Sequence, residues 1–322
     1  MRSVLIENPG LDSRLVIHEQ EIPVCGSDQL LVRVKATAVN RADLLQRQGK
    51  YPSPPGESSI PGLEVAGEVA AIGAKVTGFN IGDRVYGLVA SGAYAEYCCV
   101  NYNLAALIPD NWDYSYAAAI PEALMTAHGT VFRLGKLKKN ENFLIHAAGS
   151  GISCFAIQMA RYTGAVIFTT ASNEEKMEKA QKLGATTIIN YKTEEFAKKI
   201  AEQSLNLIVD FVGGSYFPLH LKLLKKKGRL VQIASMQGHH VECDLLPIMR
   251  KRLKILGFVL RPQSLVEKAA LWKSAHKQWR KALINSEIQP IIDSEFKFSE
   301  IEKAHAHMKS SAHFGKIVIC ID

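Results

Sequence analysis

Residues 142–260 alternate between short apolar runs and segments with helical spacing of apolar positions. The apolar runs are rich in β-branched residues, which favours buried strands; they read NFLIHAA, AVIFTTAS, TTIINY, LNLIVDFVG, RLVQIAS and KILGFVL. The segments between them read GISCFAIQMARYT, NEEKMEKAQKL, TEEFAKKIAEQ and SYFPLHLKLLKKK, and glycine often follows them. Repeated strand–helix units predict an α/β fold with a doubly wound parallel sheet.

The first 120 residues follow a different pattern. Gly and Pro are frequent, and turn signals separate short strand-like runs such as LLVRVKATAV, LEVAGEVAAIG and DRVYGLV. This pattern predicts a separate, mainly antiparallel domain of barrel-like character. From about Ile288 the chain adds a strand, a short helix (FSEIEKAHAHM) and a final strand, KIVICI.

The composition is that of a soluble globular protein. The 322 residues are 47% hydrophobic and 22% charged, which allows two domains and a large core. No apolar run is long enough to span a membrane, and Glu7 and Pro9 interrupt the N-terminus before a signal-peptide core could form. The six cysteines lack metal or disulfide spacing, and Cys98 and Cys99, as strand neighbours, should face opposite sides. These features favour a reduced, cytoplasmic protein.

The chain is basic, with a formal net charge of +8 at pH 7. The charge is concentrated in two short clusters, 225–227 and 250–252. The first directly precedes Gly228, where cations suit a helix C-terminus. Because aromatic residues are not interleaved with these clusters, a nucleic-acid face is disfavoured. A solvated surface that lends a few charges to cofactor phosphates is the favoured interpretation.

The segment from Leu144 to Ala165 carries the strongest chemical signal. An apolar strand leads into a cluster of Gly, Ala and Ser, and then into an amphipathic helix. The N-terminus of such a helix attracts phosphate, and small residues let a pyrophosphate approach the backbone. A strict G-x-G-x-x-G would place glycine where this chain has Ala148, Ser150 and Ser153. The segment therefore predicts a dinucleotide site with an imperfect glycine pattern.

With this segment, several ordered motifs resemble one known family. They are AVNRADLLQRQGKYP (38–52), IPGLEVAGEVAAIG (60–73), IGDRVYGL (81–88), AAIPEALMTA (118–127), NYKTEEF (190–196) and GKIVI (315–319). Together they resemble the zinc-free quinone oxidoreductases of the medium-chain dehydrogenase/reductase superfamily. The resemblance is closest to the p53-inducible quinone oxidoreductase branch, and zeta-crystallin is more distant. Ser153 is the departure from the family pattern at the nucleotide turn.

The resemblance implies a two-domain architecture. A GroES-like mainly-β catalytic domain is expected over 1–120 and 287–322, and a Rossmann NADP-binding domain over 121–286. The active site is expected in the cleft between the domains, where ligand pockets are common. The resemblance also implies a homodimer.

The residues at the family's zinc position predict a metal-free enzyme. Zinc-dependent members use a cysteine near Asn40 and a His-Glu pair near Leu63-Glu64. An amide and an aliphatic side chain replace the thiolate and the imidazole that Zn²⁺ prefers. The remaining candidates, His239-His240 and His305/His307, are interpreted as surface or helix-face histidines. Alcohol oxidation, which usually relies on a Lewis acid here, is disfavoured.

The end of the second strand of the parallel sheet predicts the nicotinamide cofactor. NAD-preferring domains place a carboxylate there, and this strand ends in Thr-Thr-Ala-Ser. By resemblance, Lys176 and Tyr191 contact the 2′-phosphate of NADPH, and Ser172 is a suitable hydroxyl partner. The alternative is that Lys176 is one more solvated helix lysine. The combination favours NADPH.

The resemblance also assigns the remaining site residues. The predicted catalytic residues are Asn40, Asp43 and Tyr51; Tyr51 either donates a hydrogen bond to the developing oxyanion or shields the cofactor, and we favour shielding. Asn40 and Asp43 either line the site or organise their loop through local hydrogen bonds. The Ser153 hydroxyl is expected to turn toward the phosphate. The other predicted cofactor contacts are Thr126, Gly149, Ser150, Gly151, Ile152, Ala234, Ser235, Phe258, Val259, Leu260 and Lys316.

Three functions are consistent with these residues. The favoured one is NADPH-dependent, metal-free hydride transfer to a quinone. The second is reduction of the C=C bond of an enone, which uses the same hydride geometry. The third is a nicotinamide-binding protein with little turnover.

Overall fold

The computed structural model describes residues 1–322. Its strands are β1 (Arg2–Glu7), β2 (Arg14–Glu19), β3 (Gln29–Val39), β4 (Glu64–Ile72), β5 (Arg84–Leu88), β6 (Tyr97–Asn101), β7 (Ala105–Leu107), β8 (Asn142–Ile145), β9 (Val166–Ala171), β10 (Thr187–Asn190), β11 (Leu205–Asp210), β12 (Leu224–Gln232), β13 (Lys254–Gly257), β14 (Ile292–Lys297) and β15 (Lys316–Cys320). Its α-helices are α1 (Arg41–Arg47), α2 (Tyr114–Ala118), α3 (Pro121–Ala127), α4 (Gly151–Thr163), α5 (Glu174–Leu183), α6 (Phe196–Lys199), α7 (Tyr216–Leu223), α8 (Leu246–Lys251), α9 (Leu265–Ile284) and α10 (Ile301–Ser310).

The chain divides into two compact units, and each unit is assembled from separate segments. The first unit contains Met1–Ala123, Arg261–His276 and Pro290–Asp322, and the second contains Leu124–Leu260 and Lys277–Gln289. No helix of the structure combines the length and the apolar character that a membrane span requires.

The second unit is built on a six-stranded sheet whose neighbouring strands all run parallel. The strand order is β10-β9-β8-β11-β12-β13. The chain starts at the centre with β8, moves outward to β10, and then returns to build the other half from β11. This order is that of a doubly wound sheet, and its direction reverses between β8 and β11. The predicted parallel sheet is confirmed.

The helices of this sheet begin and end at residues that explain their length. Ser150 caps α4 by accepting a hydrogen bond from the Ser153 N–H at 3.3 Å. Asn173 caps α5 in the same way, with the Lys176 N–H at 2.9 Å. Both helices end at a glycine in the left-handed conformation, Gly164 with φ 78° and Gly184 with φ 115°, which glycine adopts without a steric penalty.

The first unit is mainly antiparallel, as predicted. Its main sheet has the order β14-β15-β3-β4-β5-β7, β6 also pairs with β3, and β1 and β2 form a separate hairpin. Only β14 and β15 pair in parallel. The last strand in the chain, β15, lies inside this sheet, where it pairs with β3 in the register Ile317 to Val39. Its buried apolar side chains join the core of the unit.

Two local predictions were wrong, and one helix was missed. The lysines of 225–227 do not end a helix, because β12 already begins at Leu224, opposite Leu205, and bulges before it resumes at Arg229, opposite Leu207. The segment TEEFAKKIAEQ forms only the single turn of α6. The 20-residue helix α9 was not predicted at all.

Candidate active site

The carboxyl edge of the parallel sheet collects the predicted cofactor contacts of the second unit. Because all six strands run in the same direction, the residues that follow them lie at one edge. They are Gly149, Ser150, Gly151, Ile152 and Ser153 after β8, Ser172 and Lys176 after β9, Tyr191 after β10, Ala234 and Ser235 after β12, and Phe258, Val259 and Leu260 after β13. Thr126 lies in α3, one residue before that helix ends, and a π-helical segment, His128–Leu134, follows it.

Two hydrogen bonds to the ends of β8 and β9 fix the turn after β8. Its Ala148 N–H donates to the Thr170 carbonyl of the neighbouring strand at 2.9 Å. The Ser153 side chain is fully buried, and its hydroxyl donates to the His146 carbonyl at 2.9 Å. The hydroxyl therefore points back to the strand and not to a phosphate, contrary to expectation. A glycine at this position could not make that bond, so the serine fastens α4 to β8.

Ser172, Lys176 and Tyr191 follow adjacent strands. The Tyr191 N–H donates to the Ala171 carbonyl at 3.1 Å, which places Tyr191 beside the end of β9. Its side chain is exposed, Ser172 is half-buried, and Lys176 retains only 8% of its accessible surface. Lys176 is thus not a solvated surface lysine. The residues that directly follow β9, Ser172 and Asn173, carry no carboxylate.

The loops after β11 and β12 pack closely on each other. The Met236 N–H donates to the Phe211 carbonyl at 3.1 Å, and the Gln237 N–H donates to the Val212 carbonyl at 2.9 Å. Gly213 has φ +66°, and a Cβ there would lie 3.1 Å from the Ser235 Cα. The glycine therefore permits the close approach that fixes the position of Ser235.

A buried polar chain, not expected from the sequence, lies under this edge. His146 Nδ1 is 3.1 Å from the Thr170 hydroxyl, and its Nε2 is 2.9 Å from Nε2 of His220. His220 Nδ1 lies 3.6 Å from Oδ2 of Asp210. Burial lowers the pKa of His146 to about 3 and the pKa of His220 to about 3, so both rings are neutral at physiological pH.

These residues are also the one set of side chains in the structure with the composition of a metal site. The ligand atoms of His146, Asp210 and His220 lie within 4.8 Å of one another. However, the 2.9 Å contact joins the two imidazoles directly, and Asp210 accepts from the Val212 and Gly213 N–H groups at 2.7 and 3.0 Å. Hydrogen bonds account for the positions of His146 and Asp210, whereas His220 Nδ1, 3.6 Å from Asp210, has no hydrogen-bond partner. The sequence contains no signal for this cluster, because His146, Asp210 and His220 are separated by 64 and 10 positions and form no recognisable motif.

The predicted residues of the first unit form a second buried network. Lys316 Nζ lies 2.6 Å from Oε1 of Glu64 and 2.7 Å from Oδ1 of Asn40. The Asn40 amide also donates to Glu64 Oε1 at 2.8 Å, and the other Glu64 oxygen accepts from the Glu122 N–H at 2.8 Å. Glu64 is fully buried, and Lys316 is 3% exposed. The Lys316 ammonium thus neutralises a carboxylate in its own unit.

Asp43 occupies the first turn of α1 and is fully buried. Its carboxylate accepts from the Asn40 N–H at 2.7 Å, from the Tyr94 hydroxyl at 3.0 Å and from the Gly62 N–H at 3.3 Å. Burial raises the pKa of Asp43 to about 6, although these bonds favour the ionised form. Tyr94 is in turn 3.2 Å from His305 Nε2. These contacts support the interpretation of Asn40 and Asp43 as residues that organise their loop.

Tyr51 is positioned by Arg261, a residue that the sequence analysis missed. The guanidinium lies 5.2 Å from the Tyr51 ring centre, and it donates to the Tyr51 carbonyl at 3.1 Å and to the Ala90 carbonyl at 2.6 Å. A further bond reaches Gln46 Oε1 at 2.8 Å. Arg261 follows directly after Leu260, so the predicted motif ended one residue short of it. Burial raises the pKa of Tyr51, and the phenol therefore keeps its proton.

The buried Lys316–Glu64 pair leads to a prediction for stability. Lys316→Met leaves the Glu64 carboxylate buried without its counter-charge, so the free energy of unfolding should fall by about 3–5 kcal/mol. The double variant Glu64→Gln/Lys316→Met removes both charges and should recover most of the loss. Denaturant unfolding measures both, with Lys309→Met as the control for an exposed lysine. A Lys316→Met variant as stable as the wild type would contradict this account.

Comparison with known proteins assigns both units. The zinc-binding dehydrogenase family model matches residues 151–274, and the alcohol dehydrogenase GroES-like domain model matches residues 26–110. These matches confirm the predicted GroES-like and Rossmann-like domains. The resemblance to the p53-inducible branch remains a prediction.

The relatives and solved structures agree with these family matches. Quinone oxidoreductase of Lama guanicoe is 28% identical over 310 residues, which cover 93% of this chain and 91% of that protein. The synaptic vesicle membrane protein VAT-1 homolog of Danio rerio is 28% identical over 92% of this chain, which spans 65% of that protein's length. The solved structure of Escherichia coli quinone oxidoreductase complexed with NADPH has a TM-score of 0.87 and 25% identity, covering 99% of both chains.

The sequence motifs, the doubly wound sheet with its carboxyl-edge residues, and these likenesses, which cover more than nine-tenths of this chain, lead to one assignment. The chain belongs to the medium-chain dehydrogenase/reductase superfamily of oxidoreductases.

Proposed function

We propose that this protein is an NADPH-dependent quinone oxidoreductase that works without a metal. The observation that carries the proposal is the carboxyl edge of the parallel sheet, where a capped small-residue turn, a buried lysine and two fixed loops follow successive strands. The relatives named quinone oxidoreductase, and the NADPH bound by the Escherichia coli protein, support the same assignment.

The turn after β8 suits a pyrophosphate. The first backbone N–H groups of an α-helix have no partner within the helix, and the helix dipole favours an anion at this end. In α4 these groups include Gly151 and Ile152, which carry no bulky polar side chain that competes for them. Since the Ser153 hydroxyl bonds to the strand, Ser153 would act through its backbone and through the placement of the helix.

Lys176, Ser172 and Tyr191 are the proposed contacts for the 2′-phosphate. A partly desolvated ammonium forms a stronger charge-assisted bond with phosphate than a fully solvated one does. The burial of Lys176 thus favours this role over that of a surface lysine. A carboxylate at the end of β9, which would favour NADH, is missing from the sequence.

When bound, the cofactor supplies a hydride from its nicotinamide ring. The residues of the first unit would contribute placement and hydrogen bonding. The protonated Tyr51 phenol can donate a hydrogen bond or shield the reacting ring, and Arg261 holds the loop that carries it. The groups nearest to the family's zinc position, Asn40 and Glu64, are already bound to the Lys316 ammonium. This pairing supports a metal-free reaction.

A homodimer is the second part of the proposal. The strand β13 is the last strand of the parallel sheet, and an uncovered edge strand pairs readily with a second chain. Apolar side chains near this edge are exposed, among them Leu245, Met249 and Ile255. A second copy of the chain that covers β13 would bury them.

The activity is tested by NADPH consumption against ortho-quinones, para-quinones and enones. We expect turnover with quinones, and we expect prolonged dialysis against a strong chelator to leave both the rate and the thermal unfolding midpoint unchanged. Turnover with enones alone would indicate an enone reductase instead. Tight NADPH binding without turnover of any acceptor would indicate a binding protein, and stoichiometric zinc whose removal abolishes activity would contradict the metal-free mechanism.

The cofactor assignment is tested by Lys176→Ala. Loss of a charge-assisted hydrogen bond of about 1.5–3 kcal/mol should weaken NADPH binding roughly 10- to 150-fold. NADH lacks the 2′-phosphate, so its dissociation constant should change little. Lys182→Ala, on an exposed turn of the same helix, is the matched control and should affect neither cofactor. An equal loss for NADPH and NADH would refute the role of Lys176.

The dimer is tested by light scattering coupled to size exclusion. The wild type should have the mass of two chains, and Met249→Lys/Ile255→Lys should shift the protein toward one chain, because both charges would be buried in the interface. Leu11→Lys replaces a more exposed apolar residue of the first unit and should leave the mass unchanged. A monomeric wild type would exclude this dimer.

A further inference from the structure

Two cysteines that are distant in sequence meet on the surface of the first unit. Cys25 lies in the segment between β2 and β3, and Cys99 lies in β6. Their Sγ atoms are 3.3 Å apart, and both residues are partly exposed. A disulfide requires about 2.05 Å between the sulfurs, so a movement of little more than an ångström separates contact from a bond.

The backbone on both sides of the pair is held by β3. Cys99 pairs with Leu31 in the β3–β6 ladder. On the other side, Gln29 at the start of β3 donates its N–H to the Gly26 carbonyl at 3.1 Å, and its side-chain oxygen accepts from the Gly26 N–H at 2.9 Å. Both sulfurs are therefore anchored to one strand, and their proximity is a property of the fold.

The neighbouring Cys98 is excluded from this pair by the strand geometry. It points to the opposite face of β6 and is 3% exposed in the hydrophobic core. The expectation that Cys98 and Cys99 pack separately is confirmed. The spacing of 74 residues between Cys25 and Cys99 explains why no sequence motif indicated their contact.

We propose that Cys25 and Cys99 are a reversible disulfide site that responds to hydroperoxides. In the first step the thiolate of one cysteine attacks a peroxide oxygen and the O–O bond breaks. The departing oxygen takes a proton from solvent and leaves as water or an alcohol, and the attacking cysteine becomes a sulfenic acid. In the second step the sulfur of the other cysteine attacks the sulfenic sulfur, the S–O bond breaks, and water leaves with the proton of the attacking thiol. Two thiols are oxidised to one disulfide, and one peroxide is reduced. Thiols reverse the reaction by exchange.

The contact between the sulfurs lets the two cysteines exchange roles. Either thiol can donate its S–H to the other sulfur at 3.3 Å. Because the thiolate is the reactive form, the cysteine that loses its proton is oxidised by peroxide first, and the other cysteine resolves the sulfenic acid. Neither residue belongs to the proposed cofactor or substrate contacts, so this site is independent of the proposed function.

The test exposes the reduced protein to hydrogen peroxide and maps its cysteines by mass spectrometry. We expect an intact mass lower by two hydrogen atoms, loss of two alkylatable thiols, and a trypsin-resistant link between the peptides that carry Cys25 and Cys99. Dithiothreitol should reverse all three. In Cys25→Ser and in Cys99→Ser the link should be absent, and dimedone should trap a sulfenic acid on the remaining cysteine of the pair in at least one of these variants.

The matched control, Cys98→Ala, distinguishes Cys98 from Cys99 as the linked residue. Cys98 and Cys99 lie on one tryptic peptide, so Cys98→Ala should keep the link and Cys99→Ser should abolish it. Cys243→Ser, in the second unit, should keep it as well. Circular dichroism verifies that each variant is folded. A link that persists in Cys99→Ser would overturn the proposal. So would a wild-type protein whose Cys25 and Cys99 stay alkylatable at a peroxide concentration that labels either single variant with dimedone.

Discussion

The buried carboxylate of Glu64 sets the arrangement of the first unit. A carboxylate loses its hydration when it is fully buried, and it is tolerated only where charge and hydrogen bonds replace the lost water. Here Lys316 supplies the charge, while Asn40 and the Glu122 backbone supply the bonds. The three elements β4, β15 and α1 must therefore meet with little freedom. The position of α1 also places Asp43, which lies in its first turn. The bonds of Asp43 to Tyr94 and Gly62 fix the loop further.

The second unit also buries a carboxylate, that of Asp210, which accepts hydrogen bonds from backbone N–H groups. Its polar chain runs from Thr170 through two imidazoles toward Asp210, and both rings remain neutral because burial penalises their charged form. One neutral ring can donate its N–H to the facing nitrogen of the other. The two histidines can therefore be buried beneath the sheet edge without a positive charge. The turn after β8 keeps its shape through the Ser153 hydroxyl, which donates to the His146 carbonyl. His146 therefore connects this turn to the buried polar chain.

The sequence predicts what depends on local spacing and leaves out what depends on distant contacts. Periodicity was sufficient for the strands of the parallel sheet, because each strand–helix unit carries its own signal. The lysine run 225–227 was misassigned because its apolar neighbours fit a helix, whereas pairing with β11 decides for a strand. Lys316 and Glu64 are 252 positions apart, and Arg261 reaches Tyr51 across 210 positions; such contacts exist only in the folded chain. The motif resemblance supplied the site positions, but not the partners that hold them.

The location of β15 has a consequence for how the protein is made. This strand lies between β14 and β3 in the main sheet of the first unit, although it is synthesised after β1 to β14. All segments of the second unit, through Gln289, leave the ribosome earlier. The second unit can therefore fold during synthesis, whereas β3 waits with one edge open and the Glu64 carboxylate without its ammonium until Lys316 emerges.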